Sequence, residues 1–578
     1  MSIEQERKYL QEAESEGLLQ CLVAYTKLSG PGWLQSAITL GGGSLASSLF
    51  LGVLAGYSLL WLQPVAIILG IIMLSAISHV TLSTGQSPFV SINNEINPVL
   101  GWGWAIATII ANIVWCLPQF TLGTSAVTQN LFPDFEESVG AKVITCITLL
   151  IMACLIIWFY DRGSRGVKIF DLVLKIMVGL VVISFFGVVI KLGSTGQLPW
   201  SDIISGFVPN LSLLIEPAEV YIPFLKETGE FRSFWESKIV NLQQDVMIAA
   251  AATAVGINMT FFMPFVLLRR KWGREHRGLA KFDLWTALFI PYVIATSCVV
   301  IAAGTQFNGK PESAYINYEN RVLEKNLVKG FDSFINSRLE LEIGSGEFKN
   351  LAPVQIEEKI QDLPEADKNL AAMLVKRDAI NLADSLESLM ENKTFSNYVF
   401  GIGVLGMALS TIVILMTING HAVCEILGRP HKGPVFLAGA YMAGIGVLGP
   451  FVWSEAAFWL AVPTSILGFT LIPVAYLSFS LLINSRKVLG REMPTGRGRI
   501  IWNIFLIISL IIMGTAAFYV AWNKNWGEYP VGKIAIIGFG ILLLIGHFSL
   551  KNNKLSKQIE ALNFKIQQLS KNLDIAKK

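Results

Sequence analysis

Residues 38–46 read Ile-Thr-Leu-Gly-Gly-Gly-Ser-Leu-Ala, so three glycines and a serine stand in the middle of an apolar stretch. Three glycines cost a helix roughly 3 kcal/mol relative to alanine. We therefore expect the helix to unwind there, and the candidate residues are Gly41, Gly42, Gly43 and Ser44. The alternative is a close crossing of two helices, in which glycines let the backbones approach each other. Glycine alone does not separate these two interpretations.

A second interruption lies in the apolar segment 247–268. After Thr253, the residues Gly256, Ile257 and Asn258 place a glycine and an uncharged amide in mid-segment. The alternative role for Asn258 is an interhelical hydrogen bond, worth about 1 kcal/mol. If each half of the protein contributes five helices, this segment corresponds to the first one, and paired interruptions at matching places are typical of inverted-repeat transporters. We therefore predict a substrate site formed by both interruptions.

The composition is that of a protein embedded in a membrane. Of the 578 residues, 53% are hydrophobic and 15% are charged. A soluble protein needs about a quarter of its residues charged. Apolar runs of about 20 residues recur along the chain and match the thickness of a bilayer. The net charge of +3 comes from short basic loops rather than from one face, which excludes a nucleic-acid binder. We expect an all-α polytopic membrane protein.

Several other classes of site are excluded. The six cysteines are scattered without CxxC spacing, which excludes a thiolate metal site and a disulfide framework. The sequence shows no zinc-binding HExxH motif, no nucleophile motif and no intramembrane carboxylate cluster, so we expect neither enzymatic activity nor a cofactor. The first residues are mostly polar and acidic, and no cleavable signal peptide is visible.

About twelve spans are predicted, with ends uncertain by several residues. They run over 29–53, 58–80, 100–131, 139–160, 166–192, 244–268, 282–304, 396–426, 433–452, 455–483, 499–522 and 531–548. The loops after the even-numbered spans are rich in Arg and Lys. By the positive-inside rule, we expect these loops and both termini to lie in the cytoplasm. We also expect the protein to lie in the plasma or inner membrane.

The spans and the polar stretches between them divide the chain into segments. These are a cytoplasmic N-terminal segment 1–28, a first inverted repeat 29–193, an extracellular insertion 194–243, spans six and seven in 244–304, a helical extracellular insertion 305–395, spans eight to ten in 396–484, spans eleven and twelve in 485–549, and a cytoplasmic tail 550–578.

The tail carries apolar residues in alternating steps of four and three, which form the a/d seam of a coiled coil over nearly three heptads. The seam residues are Leu555, Ile559, Leu562, Ile566, Leu569 and Leu573. The seam predicts a homodimer that forms through residues 555–573. The alternative is a lone amphipathic helix on the membrane or on the protein's inner surface, and both interpretations remain open.

Three ionisable residues lie near the ends of predicted spans. Asp245, near the outer end of the sixth span, either guards an entrance or acts as an N-terminal helix charge. His421 and Glu425 lie one helical turn apart on the eighth span. They have either a proton-related role or a role as an inner gate or cap. The centres of the first, third and sixth spans hold no Asp, Glu or His.

A series of short motifs runs along the chain. They are Gly30-Pro31-Gly32-Trp33-Leu34 with Gly56-Tyr57-Ser58-Leu59-Leu60-Trp61, Tyr160-Asp161-Arg162-Gly163, Gly206-Phe207-Val208-Pro209, the stretch from Phe282-Asp283 to Ala302-Ala303, and Phe469-Thr470-Leu471-Ile472-Pro473 with Asn484-Ser485-Arg486. In order and spacing they resemble the motifs of the Nramp family of divalent-metal transporters. The likeness covers residues 29–304 and 396–522. It implies a LeuT-type fold of two inverted five-helix repeats plus two further helices. It also implies alternating access and a divalent substrate such as manganese, magnesium or iron.

The residues that bind the metal in that family are replaced here. An ungapped alignment places Gly41 and Ser44 at the family's aspartate and asparagine in the first span. Gly256, Ile257 and Asn258 stand at its Met-Pro-His motif in the sixth span. The family's acidic pair in the third span and its glutamine in the tenth fall near Leu117, Phe120 and Ile466.

These replacements leave the substrate open. A divalent cation at the bilayer centre needs compensating charge and several oxygen ligands. Carbonyls around Gly41 and Thr253, together with the Ser44 hydroxyl, supply dipoles but no charge. Helix N-termini at such breaks carry partial positive charge and suit a small anion or an amino-acid-like zwitterion equally well. The hypotheses are an altered metal transporter, a transporter of such an anion or zwitterion, and a non-transporting receptor or scaffold.

Overall fold

A computed structural model describes residues 3–132, 138–162, 164–311, 325–377, 393–453 and 457–576. Within these residues the protein is α-helical, with one isolated β-bridge between Trp526 and Tyr529. Ten of the described helices are long and apolar enough to cross a membrane, and a bent helix pair makes an eleventh candidate. The helix Ser164–Ser194 stands at the remaining predicted span. The prediction of an all-α polytopic membrane protein is confirmed.

The helices up to the middle of the chain are α1 (Ile3–Glu16), α2 (Leu18–Leu28), α3 (Pro31–Thr39), α4 (Gly42–Ala55), α5 (Leu62–Thr84), α6 (Pro98–Leu131), α7 (Val139–Asp161), α8 (Ser164–Ser194), α9 (Arg232–Ala254), α10 (Ile257–Arg269) and α11 (Arg274–Phe307). The bent pair α3 and α4 forms the first span, and α9 with α10 forms the sixth.

The later helices are α12 (Lys325–Ile343), α13 (Pro353–Gln361), α14 (Glu365–Met373), α15 (Lys393–Ile426), α16 (Pro434–Val452), α17 (Ala461–Leu482), α18 (Gly496–Trp522) and α19 (Val531–Ala576). Short unlabelled helices cover Pro88–Ser91, Trp200–Ser205, Ile222–Glu227, Ser345–Phe348 and Arg486–Leu489.

Burial separates an inner bundle from outer helices. In the most apolar part of α5, 78% of the residues are buried, whereas the corresponding share is 28% in α18 and 11% in α19. Inside the bundle, α15 packs along α6, and α4 packs against α9 and α11. A helix that is apolar on all sides needs an apolar environment all round, which the bundle supplies to the inner helices and lipid supplies to the outer ones.

The described part of the predicted insertion 305–395 is helical, as expected, and α14 is held against α9. Trp235 of α9 donates a hydrogen bond to Asp367 of α14, and Arg338 Nε of α12 lies 3.2 Å from Asp367 Oδ1. Burial raises the pKa of Asp367, although Trp235 and Arg338 oppose that shift. These contacts fix the insertion to the sixth span.

Helix α9 begins at Arg232 rather than at residue 244. The end of the predicted insertion 194–243 is therefore a helical extension of the sixth span, which a polar sequence could not distinguish from a loop. The described parts of the predicted tail 550–578 likewise continue the twelfth span, because α19 runs without a break for 46 residues. The homodimer through residues 555–573 stays a prediction.

The described residues of the segment 1–28 fold back on the loop before α11 and on the first turn of α11. Trp272 Nε1 donates a hydrogen bond of 2.9 Å to Glu6 Oε1, and Arg7 Nε lies 2.5 Å from Glu275 Oε1. Burial favours the neutral form of Glu6, yet His276 and Trp272 hold its pKa below the ordinary value. These contacts place α1 beside Trp272 and Glu275, within the stretch that holds the basic residues of this loop.

Candidate functional site

The first span breaks where the glycines predicted it. Helix α3 ends at Thr39, Gly41 is extended with ψ 178°, α4 begins at Gly42, and the two helices meet at 52°. A Cβ at Gly42 would collide with Leu122, and one at Gly43 would lie 2.9 Å from Thr253 Cγ2. Both interpretations of the glycines therefore hold, since the helix unwinds and its neighbours approach its backbone closely.

The sixth span breaks directly opposite. Helix α9 ends at Ala254, Val255 and Gly256 are extended, and α10 begins at Ile257. A Cβ at Gly256 would lie 2.5 Å from the Trp115 ring. The Asn258 side chain accepts a 2.8 Å hydrogen bond from the Met259 N–H, which also donates to Gly256 O at 3.1 Å.

Side-chain hydroxyls join the two breaks. The Ser44 hydroxyl donates to Thr39 O and lies 3.4 Å from Thr253 O. In the other direction, Thr39 Oγ1 donates a 3.2 Å hydrogen bond to Ala254 O, and Ser47 Oγ lies 3.3 Å from Thr253 Oγ1. Carbonyl groups released from the helices are thus satisfied across the junction, as backbone at membrane depth requires.

A cavity of about 40 Å³ lies at this junction. This is room for roughly three water molecules. It is lined by Ile38, Gly41, Gly43, Ser44, Trp115, Pro118, Gln119, Ala252, Thr253, Gly256, Asn258, Met259, Thr411, Leu415, Ala461 and Ser465. These side chains are uncharged, and within the described ranges no three His, Cys, Asp or Glu residues come together as a metal site would require. The atoms left to bind a metal ion are hydroxyl, amide and backbone oxygens and the sulfur of the Met259 thioether.

Most of the predicted substrate residues reach this cavity. The exceptions are Gly42, whose N–H donates a 3.0 Å hydrogen bond to Gln119 Oε1, and Ile257, which is buried beside the cavity wall. Asp245 lies on α9, roughly 12 Å along the helix from Thr253, at 1.5 Å per residue. It is half-buried and interacts electrostatically with lysines rather than with the cavity.

His421 and Glu425 lie elsewhere. Both belong to the end of α15 and contact His431 instead of the cavity. The three candidate gate residues are therefore not brought together, since Asp245 lies on the opposite side of the cavity from this pair. Their predicted roles as gates remain predictions.

Four lining residues with oxygen or sulfur donors escaped prediction, namely Gln119, Met259, Thr411 and Ser465. They belong to α6, α10, α15 and α17. Gln119 had a usable signal, because it is an uncharged amide in the middle of an apolar span, as Asn258 is. The positions expected from the alignment, Leu117, Phe120 and Ile466, lie next to lining residues but do not line the cavity themselves.

The motif Gly30-Pro31-Gly32 is explained by Asp283 of α11. This carboxylate is fully buried and accepts hydrogen bonds from the Ser29 hydroxyl and from the Gly30 and Gly32 N–H groups. A Cβ at Gly32 would collide with the Asp283 carbonyl oxygen, so a glycine is required for this approach. The carboxylate thereby caps the N-terminus of α3 and fixes the first half of the broken span to α11.

Replacing Asp283 with asparagine is expected to lower the free energy of unfolding by about 2 kcal/mol, because the amide nitrogen cannot accept the hydrogen bond that the charged oxygen accepts now. Thermal unfolding in detergent measures this change. The matched control is Asp202→Asn, which alters an exposed carboxylate. Equal unfolding temperatures for both variants would show that Asp283 does not hold α3.

Comparisons with known proteins agree with this geometry. The Nramp family model, described as natural resistance-associated macrophage protein-like, matches residues 32–332. The divalent metal cation transporter MntH of Brucella suis biovar 1 is 23% identical over 196 residues, which are 33% of this chain and 39% of that protein. The metal transporter Nramp6.2 of Populus trichocarpa is 26% identical over 184 residues, which are 32% of this chain and 31% of that protein. These matches thus span less than half of the relatives' length.

Among solved structures, the manganese transporter of Eremococcus coleocola, in complex with an aromatic bis-isothiourea substituted compound, shares the fold. Its TM-score is 0.59 at 12% sequence identity, and the match covers 92% of this chain and 96% of that one. This supports the LeuT-type arrangement that the motifs implied. Since the family model matches more than half of the 578 residues, including both helix breaks, this chain belongs to the Nramp family.

Proposed function

We propose that this chain is a secondary transporter that carries a small divalent cation by alternating access around the cavity between the two helix breaks. The observation that carries the proposal is that both helix breaks meet at a cavity of about 40 Å³ lined by uncharged oxygen and sulfur ligands. Hydroxyl, amide and carbonyl oxygens are ligands that a divalent ion uses together with part of its hydration shell. The relatives named as metal and manganese transporters support the same substrate class.

The electrostatics of the cavity come from the backbone. The C-terminal ends of α3 and α9, at Thr39 and Ala254, bring partial negative charge to the junction, and the N-terminal ends of α4 and α10 bring partial positive charge. Broken-helix carbonyls bind cations in other transporters, so we assign the ion to the ends of α3 and α9. Gln119, Asn258 and Met259 add neutral oxygen and sulfur donors. Because no carboxylate compensates the ion's charge, we expect weaker binding than at a site that contains one.

Uptake into liposomes tests the proposal. The purified protein is reconstituted, and Mn²⁺ and Mg²⁺ uptake is measured with and without a pH gradient. We expect saturable uptake of at least one of the two ions above that of empty liposomes. Uptake equal to the empty control, from protein that unfolds cooperatively on heating, would reject a divalent substrate.

The same proposal assigns the protein to the plasma or inner membrane. The loops that hold Arg162, residues 269–281 and Arg429 would face the cytoplasm by the positive-inside rule, together with both termini. Helices α12 to α14 would then form an extracellular cap, and α19 would extend into the cytoplasm, where its seam 555–573 would pair two copies. Protease accessibility of the two faces in sealed vesicles tests this orientation.

A further inference from the structure

A cluster of titratable side chains lies at the end of the bundle that carries the basic loops. At its centre is His421 of α15, whose side chain is buried. The ring of Phe265 stacks on it at 5.0 Å and 5°, and the rings of Phe436, Phe262 and Tyr160 surround it at 5.0, 6.0 and 6.3 Å. A histidine inside an aromatic box, away from the cavity, has no part in substrate binding.

Polar contacts link His421 to the surface. Its Nδ1 lies 3.3 Å from His431 Nδ1, and its Nε2 lies 3.4 Å from the Tyr160 hydroxyl. On the other side, His431 Nε2 lies 2.9 Å from Glu425 Oε2, and Ser87 Oγ donates a 2.7 Å hydrogen bond to Glu425 Oε1. The chain of contacts thus runs from a buried phenol to a half-exposed imidazole and its carboxylate.

The direction of the hydrogen bonds follows from chemistry. The Glu425 carboxylate only accepts, so His431 donates from Nε2, and in a neutral imidazole its Nδ1 then carries a lone pair. His421 must then donate from Nδ1, which leaves its Nε2 to accept from Tyr160. Both imidazoles are neutral in this arrangement, and one hydrogen already lies between their Nδ1 atoms. Another proton on His431 reverses the contact between the two Nδ1 atoms, whereas one on His421 gives that ring two N–H groups and places a charge inside the aromatic box.

The charges around His421 oppose a cation in this closed state. Arg269 of α10 donates a hydrogen bond to Tyr160 O and lies 3.9 Å from that ring's centroid. The Asp161 carboxylate of α7 accepts hydrogen bonds from the Gly433 N–H, at 2.9 Å to Oδ1 and 3.1 Å to Oδ2. Glu425 on the same helix reaches His431 rather than His421. A buried imidazolium here would lack a carboxylate partner of its own and would face a guanidinium, which makes it costly.

The cluster stands between the cavity and the basic end of the protein. Helix α10 lines the cavity with Asn258 and Met259, and its next turns bring Phe262 and Phe265 onto His421. Helix α15 lines the cavity with residues up to Leu415, and His421 follows roughly 9 Å along the axis. The two helices that border the cavity therefore close on each other at His421.

We propose that His421 and His431 form a proton-binding latch that closes the route from the cavity to the basic end of the protein. While the pair is neutral, the box around His421 holds α10 against α15. Protonation favours the state in which His421 reaches water, so acidification on this side opens the route. The role of the latch in transport rests on the proposed function, whereas the contacts that form the latch do not depend on it.

Hydrogen exchange measured by mass spectrometry tests the latch. The full chain in lipid nanodiscs is compared at pH 8 and pH 6, with rates corrected for the intrinsic chemistry of amide exchange. In the unmodified chain, peptides from α10 are expected to exchange at least threefold faster at pH 6. His421→Asn keeps an amide near the position of Nδ1 but cannot titrate, so its exchange should not respond to pH.

The matched control is His547→Phe, which removes an exposed histidine on α19 and should keep the full response. His431→Gln is a second variant, expected to lose the response as His421→Asn does. No response in the unmodified chain, or a response that survives in His421→Asn, would overturn the latch. Metal uptake is a separate readout. A pH response without uptake would reject the divalent substrate and keep the latch. Uptake without a pH response would reject the latch and keep the divalent substrate.

Discussion

Replacing Gln119 with glutamate is expected to raise the apparent affinity for Mn²⁺ by at least about tenfold, or about 1.4 kcal/mol. Gln119 lines the cavity, and its Oε1 already accepts the Gly42 N–H at 3.0 Å, which a glutamate oxygen would do equally well. At an effective dielectric of about 20, a unit charge about 5 Å from a divalent ion attracts it by roughly 7 kcal/mol. Removing the carboxylate from water offsets most of this attraction.

The control for Gln119→Glu is Gln197→Glu, which adds the same charge at an exposed position outside the cavity. Concentration dependence of uptake in liposomes gives the affinity of each variant. The sign of the change identifies the substrate's charge. Weaker transport of the native substrate by Gln119→Glu would contradict a cation and support the small anion or zwitterion.

Replacing Gly256 with leucine is expected to reduce uptake more than a hundredfold. The backbone at Gly256, φ −81° and ψ 166°, is open to any residue, so the effect comes from the side chain alone. Its Cβ would lie 2.5 Å from the Trp115 ring and 2.6 Å from Asn258 Oδ1, and the rest of the side chain would occupy a cavity of about 40 Å³. Overpacking of this kind costs about 1–3 kcal/mol, less than a folded domain's total stability.

Gly514→Leu is the matched control, because Gly514 also lies in a spanning helix but a Cβ added there would meet no neighbour within 4 Å. Uptake and thermal unfolding are measured on both variants. Normal uptake by Gly256→Leu would show that substrate does not pass the junction. If cellular function also persisted, the non-transporting scaffold would be the better account.

The course of the backbone could be predicted from the sequence because glycines and apolar runs act locally. Three successive glycines make a helix costly at that point, and the break at Gly41, just before α4 begins at Gly42, agrees with that cost. The pairing of the breaks at Gly41 and Gly256 followed from counting five spans in each half of the protein, which makes the sixth span correspond to the first. The start of α9 at Arg232 could not be predicted in this way, since packing against Asp367 stabilises a helix whose own sequence is polar.

The composition of the cavity wall was harder to predict. Helices α6, α15 and α17 lie inside the bundle and are apolar on most sides, so their sequences do not show which face is turned toward the cavity. Whether Gln119 or Phe120 points at the first break depends on how α6 is rotated, and packing against α15 and α16 sets that rotation. The same holds for Ser465 and Ile466 of α17. A rotation that exchanges neighbouring residues of these helices would change the side chains that face the cavity from polar to apolar.

The roles of the ionisable residues depend on contacts that are distant in sequence. His421 and Glu425 could be paired as one helical turn, but His431 lies beyond the end of that helix, and no periodicity indicates that its ring returns to Glu425. Asp283 was part of a family motif, and its function as a cap for α3 requires the approach of Gly30 and Gly32. Burial and tertiary contact, rather than local pattern, determine these two sites.

Anomalous diffraction from crystals soaked in Mn²⁺ tests the central claim most directly, because it locates the ion without relying on transport. We predict a peak at the junction of the two breaks, bordered by Thr253, Asn258 and Met259, that disappears in Gly256→Leu. A crystal at saturating Mn²⁺ with no peak in the cavity, or with its peak at His421 and His431, would contradict the proposal that this cavity carries the ion.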